Sequence, residues 1–143
     1  MTVALMLKSK GSEIVTVKPE ATVIEACRVF NEARIGAAPV VDADGRLLGM
    51  ISERDVVRAI ALHGHLCLDK TVGTLMTRDL ATTTPDESID DVMSKMTDRR
   101  CRHLPVLNNG KMIGLISIGD VVKMRIAQTE MEAQELRRYI ATG

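Results

Sequence analysis

Apolar residues recur at helical spacing in two stretches of the chain: Val23, Ala26, Cys27 and Phe30, and again Ile89, Val92, Met93 and Met96. Steps of three and four place each set on one helix face and predict one buried side. Thr22 with Glu25, and Ser88 with Asp91, form capping pairs at the predicted N-termini. Upstream lie two β-like runs, residues 14–17 and 80–83, closed by Pro19 and Pro85, which cannot donate to a ladder. Downstream, residues 39–41 and 47–51 flank Asp44-Gly45, and residues 105–107 and 112–116 flank Asn109-Gly110. Both patterns predict hairpins. A second helix is predicted from Ser52 and from Ser117.

The two grammars are one grammar repeated. Residues 15–57 align with residues 81–122 with a single deletion near Asp44. Pro19 matches Pro85, Pro39 matches Pro105, Gly45 matches Gly110, Gly49 matches Gly114, Ser52 matches Ser117 and Asp55 matches Asp120. From Gly45 onward about half of the positions are identical, which indicates two copies of a β-α-β-β-α unit. One copy is too small to close a core easily, so two are expected to pack together.

The last helix outruns its counterpart. From Ser117 to about Tyr139 nothing breaks it. Val122, Ile126, Ala133, Leu136 and Ile140 recur at alternating spacings, Thr129 fills the missing slot, and charged residues flank the row. The row fits a helix packed on its own domain, and equally a dimer contact.

Composition narrows the function. The 143 residues suit one domain, or two small ones sharing a core, and a chain of this length buries roughly 70% of its unfolded surface. With 45% hydrophobic and 27% charged residues the chain is expected to fold. Nineteen basic and nineteen acidic residues balance, which argues against a nucleic-acid binder, and Phe30 and Tyr139 alone offer no base-stacking platform. No apolar run approaches the roughly 18 residues of a membrane span. Residues 3–7 form a short apolar patch with no preceding cation and no cleavage pattern, so a cytoplasmic protein is expected. Three widely spaced cysteines, Cys27, Cys67 and Cys101, suggest a reducing compartment rather than a disulfide framework.

Two βαββα units that each end in Gly-apolar-apolar-Ser-x-x-Asp resemble the tandem cystathionine-β-synthase (CBS) domain pair, or Bateman module. The carrying motifs are GMISERD (49–55) and GLISIGD (114–120), supported by GAAPVV (36–41), RHLPVL (102–107), TVKPEATV (16–23) and TTTPDESI (82–89). The resemblance spans residues 3–126 and reaches no attached enzyme, channel or transporter. It implies an α+β fold: two βαββα units packed with pseudo-two-fold symmetry, with clefts between their sheets, plus the extended C-terminal helix. The expected divisions are 1–66 and 67–126 for the two units and 127–143 for the extension. It also implies flat homodimers, and an adenosine-containing ligand: AMP, ADP, ATP, NAD(H) or S-adenosylmethionine. The expected function is a non-catalytic sensor of energy or redox state acting on an unidentified protein partner. The competing reading is a ligand-free dimeric scaffold or protein-interaction module.

Ser-x-x-Asp at a helix start makes a capping box, worth around 1 kcal/mol. The same geometry lets a carboxylate accept from ribose hydroxyls while free N–H groups face a phosphate. The resemblance therefore makes Asp55 and Asp120 the ribose candidates, with Ser52 and Ser117 beside the phosphate. Arg102 and His103 are basic phosphate candidates. Their counterparts are Gly36 and Ala37, so the two clefts are expected to differ. Arg54, whose counterpart is Gly119, and Lys10 are further cations in reach. Around adenine the candidates are Thr16, Ala37, Ala38 and Met50 for one cleft. For the other they are Thr82, Thr83, His103, Leu104 and Leu115.

Other clusters carry less. His63, His65 and Cys67 supply zinc-type donors but lack a fourth ligand, so no metal site is expected. Cys101 lies among Arg99, Arg100 and Arg102, which would lower a thiol pKa, yet its counterpart Ile35 points to a buried apolar position. No nucleophile–base set and no glycine-rich phosphate loop occurs, so no enzymatic activity and no catalytic cofactor are expected.

Overall fold

The chain opens with a helix that the apolar pattern does not announce. In the computed structural model, which describes residues 1–11 and 13–142, α1 is Val3–Lys10. The first repeat follows as α2 (Val23–Ala33), β1 (Ala37–Val41), β2 (Leu47–Ser52) and α3 (Glu53–His63). A 3₁₀ turn, His65–Asp69, and a short α4 (Val72–Leu75) connect to the second repeat. That repeat comprises α5 (Ile89–Arg99), β3 (His103–Asn108), β4 (Lys111–Ser117) and α6 (Ile118–Thr142). Among the described residues no helix is long and apolar enough to cross a membrane.

Local chemistry places these boundaries. Thr22, Ser52 and Ser88 each close a reciprocal capping box with Glu25, Asp55 and Asp91. Arg34 and Arg100 end α2 and α5 in the left-handed conformation, each returning its N–H to the last turn. Gly45 and Gly110 take positive φ at the hairpin turns, where a Cβ would be strained. Strands β1 and β2 are antiparallel, with Ala37 opposite Ser52 and Pro39 opposite Met50; β3 and β4 form the second two-stranded sheet.

The expected first strands, 14–17 and 80–83, are not strands. Each is a single parallel bridge, Val17 to Val40 and Thr83 to Val106. The prolines explain this. Val17 donates to the Pro39 carbonyl at 2.9 Å and accepts from Val41 at 3.0 Å. The next rung on one side needs an N–H from Pro39, and on the other an N–H from Pro19; neither exists. Pro105 and Pro85 stand at the matching positions beside Thr83, whose N–H reaches the Pro105 carbonyl at 3.0 Å.

The chain forms two compact units, and the division in space differs from the division of the repeats along the sequence. One unit is Glu13–Leu80 with Leu107–Ile113; the other is Met1–Ser12, Ala81–Val106 and Gly114–Gly143. In the first, Val23, Ala26 and Phe30 of α2 pack with Val17, Ala38, Val40, Ile51 and Val56, and the core is completed by Val72 and Met76 from the connector. Residues 76–77 pair with β2 through two Met50–Thr77 backbone bonds of 2.9 Å. A Cβ on Gly49 would lie 2.6 Å from the Thr77 carbonyl, so glycine is required at that approach.

The second unit uses α1 where the first uses α4. Val3 and Ala4 donate to the Glu87 and Pro85 carbonyls, and Val3 and Met6 are buried with Ile89, Val92, Met96, Leu104, Val106, Ile116 and Val121. Leu7 lies over Gly114, so a side chain there would collide with it. Met93, expected on the buried stripe, is exposed instead: the face that packs is carried by Ile89, Val92 and Met96 alone.

Candidate functional site

Each repeat ends in the same carboxylate device. In the first unit the Ser52 N–H and hydroxyl donate to Asp55 Oδ2 at 2.9 and 3.0 Å, and the Asp55 N–H returns to Ser52 Oγ at 3.2 Å. In the second, Ser117 and Asp120 repeat this at 2.8, 2.9 and 3.2 Å. The cap thus uses Oδ2 of each aspartate and fixes its carboxylate at a helix N-terminus, where the dipole favours negative charge. Oδ1 is outside the cap in both.

What meets the carboxylate differs between the units. At Asp55 it is the Thr77 hydroxyl, in a long contact of 3.5 Å to Oδ1. Thr77 was not among the sequence candidates, since only the return of the connector to β2 brings it there. At Asp120 it is Lys10. The ammonium reaches Asp120 Oδ2 at 2.5 Å and the Leu115 carbonyl at 2.7 Å. Lys10 therefore engages the Leu115 carbonyl much as the Thr77 N–H engages the matching Met50 carbonyl. Burial pushes the Asp120 carboxyl up, but the hydrogen bonds from Lys10 and from the Ser117 N–H and hydroxyl outweigh it and hold the group below its ordinary value.

His103 begins β3, half-buried. Burial lowers its pKa, and the charges of Lys10 and Arg102 lower it further against the opposing pull of Asp120. At neutral pH it is a neutral imidazole, so the expected pair of cations at 102–103 reduces to one. Arg102 is exposed, and its carbonyl accepts the first N–H of α6 from Ile118 at 2.8 Å. Gly36 does the same for Glu53 at 2.9 Å in the first unit. Arg54 is exposed on the first turn of α3.

The structure treats the adenine candidates unevenly. Thr16 is exposed, and Thr82 is half-buried with its carbonyl accepting from Lys95 at 2.9 Å. Ala37, Ala38, Met50, Leu104 and Thr83 are buried, Ala38 and Leu104 completely. Both backbone groups of Met50 are taken by Thr77, so the strand edge expected to meet a ring there is already paired. Leu115 remains half-buried.

Cys67 is fully buried in the 3₁₀ turn, while His63 and His65 are exposed. Among the described residues no three His, Cys, Asp or Glu side chains are grouped to hold a metal ion. Cys101 is half-buried, and burial raises its thiol pKa despite an opposing backbone hydrogen bond and Arg99, so the neighbouring arginines do not activate it. Burial raises Cys27 likewise.

Comparison with known proteins follows the same division into repeats. The CBS domain family model matches residues 5–62 and 72–126. The chain is 35% identical over 150 residues to the mitochondrial CBS domain-containing protein CBSX3 of Arabidopsis thaliana, covering 99% of this chain and 73% of that protein. A crystal structure of a CBS-domain containing protein from Agrobacterium tumefaciens superposes with a TM-score of 0.83 at 42% identity, covering 87% of this chain and 92% of that one. The CBS domain pair of the protein MJ0100, solved in complex with 5-methylthioadenosine and S-adenosyl-L-methionine, gives 0.78 at 25% identity, covering 90% and 98%.

Proposed function

Because this chain belongs to the CBS-domain family, we propose that it is a regulatory module that binds an adenosine-containing ligand and has no catalytic activity of its own. The observation that carries this reading is the pair of capped aspartates. Each is held at a helix N-terminus with Oδ2 in the cap, which leaves Asp120 Oδ1, and Asp55 Oδ1 beyond its long Thr77 contact, for a ribose hydroxyl, and the N–H of Arg54 or Gly119 for a phosphate. The MJ0100 complex supports the ligand class. In this reading Asp55 and Asp120 hold the ribose, Ser52 and Ser117 lie beside the phosphate, and Arg54, Arg102 and Lys10 supply positive charge. His103 contributes as a neutral hydrogen-bonding group. Thr16, Ala37 and Met50 bound the ring in one cleft, and Thr82 and Leu115 bound it in the other. AMP, ADP, ATP and NAD(H) are the ligands that would make the module a sensor of energy or redox state. The protein works as a cytoplasmic homodimer acting on a partner protein, with repeats 1–66 and 67–126 and the extension 127–143 as its functional parts. The three unpaired cysteines support a reducing compartment.

The ligand can regulate only by binding two conformations unequally. A second reading, a dimeric interaction scaffold without a small ligand, is favoured by the exposed apolar residues Ile126, Leu136 and Ile140 of α6.

Calorimetric titration of nucleotide-stripped protein with AMP, ADP, ATP, NAD⁺, NADH, S-adenosylmethionine and methylthioadenosine separates the two. The sensor reading expects saturable binding of one class, weakened about ten- to hundredfold by Asp120→Ala or Asp55→Ala, the loss of a hydrogen bond to a charged acceptor. Asp120→Asn and Asp55→Asn, which keep the side chain's size and a capping oxygen, control for folding. No binding by any ligand to folded protein sinks the sensor reading and leaves the scaffold.

A further inference from the structure

We propose that α6 pairs with α6 of a second copy of this chain as a parallel, in-register two-stranded coiled coil over residues 122–140. This deepens the homodimer reading above and is independent of the nucleotide reading.

Val122, Ile126, Thr129, Ala133, Leu136 and Ile140 follow one another by four, three, four, three and four. That is a heptad seam with Ile126, Ala133 and Ile140 at a and Val122, Thr129 and Leu136 at d. Its large members are exposed: Val122 by 50%, Ile126 by 54%, Leu136 by 60% and Ile140 by 69%. The side of α6 that packs on its own unit is a different one. It is carried by buried Val121 and half-buried Met124 and Gln128. At about 100° per residue the seam lies roughly a third of a turn away from it. A second helix can therefore reach the seam without displacing the packing of α6 on its own unit. Beyond Gln128 every residue to 142 except Ala133 is exposed. A free helical stretch this short is marginal in water, so its continuation needs a partner.

Composition of the seam fits two strands: β-branched residues at a with leucine at d favour a dimer, and Ile126, Ile140 and Leu136 follow that rule. The flanks select the orientation. In a parallel pair each g residue meets the e residue five positions on in the other chain. Arg125 then meets Glu130 and Glu132 meets Arg137, all four symmetry-related contacts attractive. An antiparallel pair with all six layers overlapping would set Glu130 against Glu130 and Lys123 against Arg137. Arg125 already touches Asp90 of its own chain at 3.1 Å; that pair is exposed and does not compete strongly.

Cysteine cross-linking of the full-length protein tests this, with sedimentation as the second readout. Leu136→Cys and Thr129→Cys, both at d, are expected to give disulfide dimers on mild oxidation, and Met131→Cys, on the far side, is not; the unsubstituted chain is the background. Arg137→Glu is expected to weaken the dimer about tenfold, and Glu132→Arg with Arg137→Glu to restore it. A dimer that neither cross-links at 129 and 136 nor responds to Arg137→Glu overturns the coiled coil but leaves the homodimer standing. Equal cross-linking through Met131→Cys overturns the register. A protein monomeric at tens of micromolar overturns both.

Discussion

His103 is half-buried at the start of β3, with Lys10, Arg102 and Asp120 as its charged neighbours. Because its pKa is lowered by folding, the unfolded chain takes up a proton first as the solution is acidified. The stability tied to the neutral ring is complete above the ordinary histidine value of about 6.5 and declines as pH falls through the lower folded value. Thermal melts between pH 7.5 and 5.5 are expected to show this decline, and His103→Gln to flatten it. An unchanged slope in that variant would place the sensitivity elsewhere. Asp120 has the same sign in a lower window: its carboxyl is depressed, so its contribution persists to below pH 4 and is lost as the folded group protonates. Lys10→Met should raise the Asp120 pKa, read by NMR titration. It should cost no more than about 1 kcal/mol, since the ion pair is partly exposed.

At the scale of elements, close approach matters more than propensity. Gly49→Ala brings a Cβ to 2.6 Å of the Thr77 carbonyl and 2.9 Å of Met76 Sδ, and backbone on that side is pinned by two hydrogen bonds. Chemical denaturation should show a loss of about 1–3 kcal/mol. Gly36→Ala, where the nearest atom is the end of the flexible Glu53 side chain at 3.4 Å, should be nearly neutral. The elements themselves were legible where the signal was local. Asp44-Gly45 and Asn109-Gly110 marked both hairpins, and the Thr22, Ser52 and Ser88 pairs marked three helix starts. Residues 14–17 and 80–83 misled because a β-like run reveals nothing about the prolines opposite it. Helix α1 was missed because its eight residues bury only Val3 and Met6, too few to set up a period. Of the site, Ser-x-x-Asp was readable as a cap. That Lys10 meets Asp120 while Thr77 meets Asp55 was not, since both contacts span the chain rather than a motif.

At the scale of the whole molecule the repeats do not stand alone. The family matches along the sequence are separated by residues 63–71, but each unit completes its core with residues from across that stretch. Val72, fully buried, and Met76 belong to the core that holds Val23, Phe30 and Ile51. Val3 and Met6 are buried with Ile89, Val92 and Ile116, and α1 is tied to that unit through the Glu87 and Pro85 carbonyls. Fragment 1–66 therefore lacks two of its core side chains and the strand-like cover over Gly49. Fragment 67–143 lacks α1, its cover over Gly114, and Lys10 beside Asp120. Removing a buried aliphatic side chain costs about 2–5 kcal/mol, and two such losses reach the entire stability of a small domain. Neither fragment is expected to unfold cooperatively alone, whereas the intact chain is. Circular dichroism melts of the two fragments, separately and mixed, check this. A sharp transition in fragment 1–66 by itself would show that the connector is dispensable and that the exchange of segments between repeats contributes little to the fold.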